Sequence, residues 1–513
     1  MINCIFVSST SACFEWQNDC AYYCEKEYTV LINGRECFHG NTNVFSLFDL
    51  EPDTEYNLSI KDSDERLNFK TSNETVAISV KDFGAVGDGV TDDSIACQNA
   101  VNCLPRGSRL YFPKGTYVVS PINLKSHITL ELSEGATLVG IPDKSRYPRL
   151  PGEIYDIKNG ESVHIGTWEG NAVPMHQALI FSEYAEDITI VGRGIIDGNA
   201  RAAGWWDDIY NFEYARPRLV FFNRCDNVHI HGITVKNSAS WHFHPYFSSN
   251  VDILDVKVQA PDDSPNTDAV DPEACDRVDI IGCRFSVGDD CIAIKSGKID
   301  IGRKYKKPAN SHTVRNCYIE RGHGAVTLGS EISGGVTNLT VSKCVFKETD
   351  RGLRIKTRRG RGKDCIIDGV TFENIKMLGV GTPIVINMYY NCCDPDRESE
   401  YVWSREALPV DDRTPYLGEF VFRNMDCKSC QIAALFCDGL PEMPIKSITL
   451  DNISFDFDRD AKPGLPAMQS FLEPKCRMGM YAKNVGTLTL KNVNISGHYG
   501  DELITENVEV TVK

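Results

Sequence analysis

The sequence has no uninterrupted apolar run approaching the ~20 residues of a membrane-crossing helix, which excludes a helical membrane span. It also has no excess of positive charge. With 54 Lys and Arg against 71 Asp and Glu, the formal net charge is −17, which argues against nonspecific nucleic-acid binding and its basic face. The opening MINCIFVSSTSACFEW lacks the basic start and long apolar core of a secretory leader, so the expected location is the cytoplasm. The 20 cysteines lack the close, loop-bounded spacing of a disulfide scaffold; scattered through apolar segments, they read as reduced, packed thiols. What remains is ordinary soluble material: 42% hydrophobic residues, 40 glycines and 513 residues, enough for one large domain with or without a small one.

Residues 1–73 differ from the rest. Short alternating segments such as Tyr28 to Ile32 and Tyr56 to Ile60, joined by polar turns, predict a small β-sandwich. Leu50-Glu51-Pro52-Asp53-Thr54-Glu55-Tyr56 resembles the loop and strand of a fibronectin type III module in which a tyrosine forms a corner. Cys4, Cys13, Cys20, Cys24 and Cys37 fall here and read as small buried thiols.

Residues 76–513 carry a repeat: a polar residue, alternating aliphatics, Gly or Asn, then a second short apolar strand. Asn227-VHIHGITVKN, Asn250-VDILDVKV and Arg277-VDIIGCRF start 23 and 27 residues apart, a solenoid period. Strand-only repeats of this length predict an all-β parallel β-helix. Coils stacked in register put Cys283, Cys317 and Cys344 in one internal ladder and set corner asparagines one above another. A short helix beginning near Ser94, with Asp82, Asp88, Asp92 and Asp93 as candidate caps, would close the open end.

Within this frame, SVGDDCIAIKSG sets Asp289 and Asp290 side by side before Lys295. Adjacent carboxylates repel, and alone they would read as a solvated turn or a cation site. The cysteine register, however, puts Asp289 level with His323 and Asp290 level with Gly324, with Asp268 one coil before and Arg354 and Lys356 one coil after. Crowded aspartates suit glycosidic hydrolysis, because repulsion keeps a proton on one while another acts on water. Arg354 and Lys356, two apart on a strand, point the same way and can clamp a substrate carboxylate.

NTDA, GDD, GHG and RIK, in that order, resemble the four motifs of glycoside hydrolase family 28, the polygalacturonases, and KDFGAVGDGVTDD resembles that family's opening segment. The resemblance implies a right-handed parallel β-helix that hydrolyses α-1,4-linked galacturonan with inversion, its partner a pectic oligo- or polysaccharide, with no cofactor and no metal. Carried over by motif, Asp289 is the general acid, Asp268 and Asp290 hold the attacking water, and His323 assists. Asn266, Lys295, Arg354, Lys356 and Tyr390 would bind or orient substrate. Ala269 stands where the family usually shows glycine. The segments KSGKIDIGRKYKKP and SWHFHPYFSSNV look like bacterial exo-acting members, and the N-terminal sandwich together with the insertion 148–174 is expected to wall off one end of the groove. A rhamnogalacturonan or xylogalacturonan hydrolase is the alternative enzyme reading, a pectate lyase a more distant one, and a non-catalytic glycan-binding β-helix the alternative from another class.

Three further features have plainer readings. His242 and His244 lack a third ligand and read as core or wall histidines, Cys427 and Cys430 as stacked thiols, and the basic run Lys298 to Lys307 as a solvated loop or an anion-facing patch.

Overall fold

A computed structural model describes residues 1–156, 160–210, 213–391 and 399–513. Cys392 and Cys393 lie outside the described residues. From Ala77–Ser79 to Tyr499–Val512 the chain winds a parallel β-helix, in the right-handed sense that parallel crossovers adopt. A typical coil contributes Asp276–Ile281, Arg284–Ser286 and Ile292–Ile294; each pairs in parallel with its counterpart one coil on, in Ala309–Arg315, Tyr318–Glu320 and Val326–Gly329. Alternation at period two turns Val278, Ile280, Phe285, Ile292 and Ile294 inward, where they stack on their equivalents.

The corners are set by residues that tolerate left-handed backbone. Asn374, Asn424, Asn452 and Asn492 have φ of +55°, +51°, +57° and +50°. The side-chain amides of Asn424, Asn452 and Asn492 each donate to the carbonyl of the asparagine one coil before, at 2.8–3.1 Å. Cys283, Cys317 and Cys344 form the expected ladder, all fully buried, with the Cys317 N–H 3.4 Å from Cys344 Sγ. Cys427 and Cys430 are core thiols, and every described cysteine is free. Cys37, read as buried, lies at the surface.

The helix Ser94–Cys103 covers the first coil with Cys97, Ala100 and Val101. The expected acidic caps are used differently. Asp93 accepts from Val86 and Gly87 N–H groups and makes no side-chain bond to its own helix. Asp82 caps the preceding one-turn helix Val80–Phe83, Asp88 holds its own turn, and Asp92 bonds Ser94 and Arg146.

Residues before this form two antiparallel sheets, one of Ile2–Val7, Ala12–Trp16 and Val44–Leu47, the other of Arg35–Thr42, Tyr23–Ile32, Glu55–Ile60 and Arg66–Lys70. Phe14, Val30, Phe45 and Leu58 fill the space between them. The Tyr56 hydroxyl accepts from Glu51 N–H at 2.8 Å, pinning the loop that leads into its strand. This sandwich lies along one corner of the solenoid. Glu15 forks onto Arg315 at 2.6 and 2.9 Å and accepts from Asn316 at 2.6 Å. Ser46 donates to Asp255 at 2.6 Å, Thr10 to Glu131 at 2.6 Å, and Tyr22 N–H to Lys343 O at 2.8 Å. Gly282, at φ +73°, lets Val44 seat against the corner; a Cβ there would stand 2.5 Å from Val44.

Candidate active site

A single parallel ladder carries the candidate groups: Phe243–Tyr246, then Val270 through isolated bridges, then Ile292–Ile294, Val326–Gly329, Arg351–Lys356 and Thr382–Asn387. Val270, Ile292, Val326, Leu353 and Ile384 point into the core, so the alternate positions, Lys295, Arg354 and Lys356 among them, face outward. Ile292 pairs with Val326, which sets Asp289 level with His323 as the cysteine register requires. Val270 pairs with Ile292, so Asp268 is level with Asp290. The methyl of Ala269 is buried in the core and its N–H reaches the carbonyls of Asp290 and Cys291, so the missing glycine leaves the strand in place.

Carboxylate oxygens of Asp268, Asp289 and Asp290 lie within 4.8 Å of one another. Asp290 is 1% exposed and saturated by cations: Arg354 Nη1 donates at 2.9 Å and Lys356 Nζ at 2.6 Å, one to each oxygen. Burial acts to raise Asp290, but Lys356 and Arg354 together override it and hold this carboxyl well below the usual range. Asp268 goes the other way. Burial, then the charges of Asp271 and Asp289, push it well up, and its Oδ1 has no hydrogen-bond partner. Asp289 sits at the mouth, its side chain 23% exposed, with His323 Nδ1 at 3.2 Å. That hydrogen bond raises the His323 imidazole. Gly324 is required for room, since a Cβ would stand 2.9 Å from Asp290 Oδ1.

These groups line a cleft of about 270 Å³ with Asn266, Lys295, Tyr390, Trp168, Glu169, Trp241, Glu331 and Met468. Asn266 Oδ1 accepts from Arg216 at 2.5 Å, and Lys356 Nζ lies 5.8 Å from the Tyr390 ring centre. Lys295, buried, donates to Glu331 at 3.1 Å and lies 3.5 Å from Asp271 and 4.5 Å from the Trp241 ring centre. The sequence reading left out the acids of this lower layer, Asp271, Glu273 and Glu331; His244, read as a core or wall histidine, lies among them with its Nε2 3.0 Å from Glu273. The signal was there: Asp271 and Glu273 stand two apart on the outward face, and Glu273 pairs directly with Lys295. His242 bonds the Asp268 carbonyl at 2.9 Å and so steadies that residue's backbone.

Trp168 and Glu169 come from the insertion, which folds as two hairpins, Glu153–Asp156 with Glu161–His164 and Thr167–Trp168 with Asn171–Ala172. Trp168 lies parallel to Trp241 at 6.2 Å, and the Arg218 guanidinium packs on both rings. The basic run Lys298 to Lys307 braces this wall: it forms the helix Ile299–Tyr305, Lys304 bonds Ser162 O at 2.9 Å, and Lys298 N–H bonds Gly170 O at 3.0 Å. The sandwich supplies none of the cleft lining, because it docks on a different corner; its expected part in the wall is corrected accordingly. A wider cleft of about 460 Å³ between sandwich and solenoid has Glu74, Asp187 and Arg106 in its lining but no trio of aspartates; its His127 is engaged at both nitrogens by Asp187 and Glu186, at 2.7 and 2.9 Å.

The model of glycosyl hydrolases family 28 matches residues 117–400, more than half of the chain and the whole of this ladder up to Asn387. The chain belongs to glycosyl hydrolases family 28. A second model, rhamnogalacturonase A/epimerase, pectate lyase-like, matches residues 77–141 in the first coils. This family 28 chain is 32% identical over 397 residues to a probable polygalacturonase of Vitis vinifera, covering 75% of each. Its fold matches that of a family 28 exopolygalacturonase of Yersinia enterocolitica with TM-score 0.74 and 19% identity, over 100% of this chain and 98% of that one. An exopolygalacturonase of Thermotoga maritima matches with TM-score 0.60 and 26% identity, over 85% and 91%. The family 28 protein is thus a glycoside hydrolase built on a parallel β-helix.

Proposed function

We propose that this protein hydrolyses α-1,4-galacturonosyl linkages in polygalacturonate and its oligomers, exo-acting from the non-reducing end, with inversion. The observation that carries the reading is a cleft in which three aspartates lie beside an Arg and Lys pair, with Trp168 of the insertion in its lining and packed on Trp241 of the preceding coils. On this reading a chain entering the cleft meets the insertion with its terminal sugar, and only the first linkage reaches the acids. Relatives named as polygalacturonases and exopolygalacturonases support the same substrate.

In this mechanism Asp289, at the mouth and bonded to His323, protonates the leaving oxygen. Asp268 and Asp290 lie deeper and hold the attacking water. Burial and the charges of Asp271 and Asp289, which push Asp268 well up, favour one proton shared within the trio. Asp290 is the member that stays ionised, because Lys356 and Arg354 face it. Inverting pairs usually stand about 6.5–9.5 Å apart to admit water between acid and base; here the water is placed against Asp268 and Asp290 jointly. Arg354 and Lys356 would share their charge between Asp290 and an incoming uronate, with Tyr390, Lys295 and Asn266 lining its path.

The test is the product profile of a short oligogalacturonide labelled at its reducing end. Galacturonate appearing first, with the label retained on a ladder shortened one unit at a time, is the expected result. Early middle-sized products would overturn the exo assignment, and no cleavage would overturn the substrate.

A further inference from the structure

Phe471 is a large apolar side chain 84% exposed to solvent, with φ of +62°. Exposure alone means little for a single hydrophobic residue. The left-handed backbone is different, since a bulky side chain there is strained and persists only where the surroundings hold it. They do so here. The three residues before Phe471 are fixed to the cleft: Met468 Sδ accepts from Arg354 Nη2 at 2.7 Å, and Met468 O accepts from Asn387 Nδ2 at 3.0 Å. Gln469 bridges to Tyr390 and donates to Asp438 at 2.8 Å, and Ser470 bonds Asn391 at 2.8 Å. The loop is thus pinned to the cleft wall up to Ser470, and the next side chain projects into water. Trp403 backs its ring edge-on, 5.5 Å away at 89°.

Three residues span at most about 10 Å, so Phe471 stands within that distance of Met468 at the cleft rim. Arg354, Tyr390 and Met468 belong with the coils C-terminal to Asp289 and Asp290, whereas Trp168 packs on Trp241 of an earlier coil; on the exo reading the rest of the chain leaves the cleft on the C-terminal side. The ring of an α-galactosyl unit carries its C3–H, C4–H and C5–H bonds on one face, because its O4 is axial. That face is apolar even when the sugar bears a carboxylate, and it suits a solvent-exposed aromatic ring such as that of Phe471.

We propose that Phe471, supported by Trp403, stacks on galacturonosyl residues beyond the one that follows the cleaved bond, so that longer oligomers bind better than the dimer. This rests on the exo reading above. The experiment compares kcat/KM for tetra- and digalacturonate in the wild-type protein, Phe471→Ala and Phe471→Trp. In the wild type the tetramer is preferred; in Phe471→Ala the tetramer-to-dimer ratio falls about three- to tenfold, the size of one ring contact, through KM, and Phe471→Trp restores it. Phe471 fills no part of the core, so its replacement leaves the fold intact. An unchanged ratio in Phe471→Ala, with the dimer still cleaved by both, overturns the subsite and leaves the exo reading standing. Failure of the wild-type protein to cleave either oligomer overturns both.

Discussion

At the scale of the residue, the cleft is governed by which charges are neutralised by which. Asp290 is ionised because two cations from the second coil beyond it each take one of its oxygens. Replacing Lys356 with Met leaves burial to act on that carboxylate with half its compensation, so its pKa rises. The acidic limb of the kcat/KM profile, which reports a group that must be deprotonated in the free enzyme, is therefore expected to move to higher pH. The stability that Asp290 contributes, present above the ordinary carboxylate range and lost as pH falls through its lowered value, shrinks with it. A pH–rate profile of Lys356→Met checks this; a limb that stays in place, or moves to lower pH, contradicts it. The common outward direction of Arg354 and Lys356 was legible from their spacing. Their engagement with Asp290 was not, because it depends on how far each side chain reaches across two coils.

At the scale of the element, the corner asparagines do two jobs: they adopt left-handed backbone and they bond along the solenoid axis. Asn424 sits between Asn374 and Asn452 and exchanges a bond with each. Asn424→Ala loses both bonds and puts at φ of +51° a residue that tolerates left-handed backbone less well than asparagine, which should lower stability by about 1–2 kcal/mol. Asn424→Gly keeps the turn and loses only the bonds, so it should fall between the two in a urea melt. An alanine variant as stable as the native chain would show that the ladder contributes nothing. The strand repeat, the cysteine ladder and the level pairing of Asp289 with His323 were all legible, because stacking in register turns sequence spacing into spatial position. The insertion was legible as part of the wall, but its fold was not. Its hairpins have no repeat to count from, and what places Trp168 beside Trp241 is the packing of Arg218 against both rings, a contact between distant segments with no local signal. Of the expected helix caps, Asp92 does accept from Ser94 N–H at the helix start, whereas Asp93 takes the N–H groups of Val86 and Gly87 in the preceding loop.

At the scale of the whole molecule, the sandwich docks where no pattern in its own sequence directs it, and its contacts run from the coil of Glu131 to that of Lys343. Coils of a solenoid otherwise touch only their neighbours, and such arrays can come apart piecemeal from either end. Glu15→Ala leaves Arg315 and Asn316 without their acceptor and should destabilise the protein by about 2–3 kcal/mol. It should also broaden the unfolding transition, while kcat on oligogalacturonide stays within about twofold, since the cleft faces another way. A sharp, unshifted melt would deny the sandwich this role. The coils it grips include those carrying Asp268, Asp290 and His323. Fraying that begins at the exposed last strand, Tyr499–Val512, therefore has to travel inward to a splinted block before it can disturb the spacing of the acids. On this account trimming from the C-terminal side takes Met468 and Tyr390 and then the Arg354 and Lys356 clamp first, so the protein would lose its hold on the substrate before its aspartates lose their spacing.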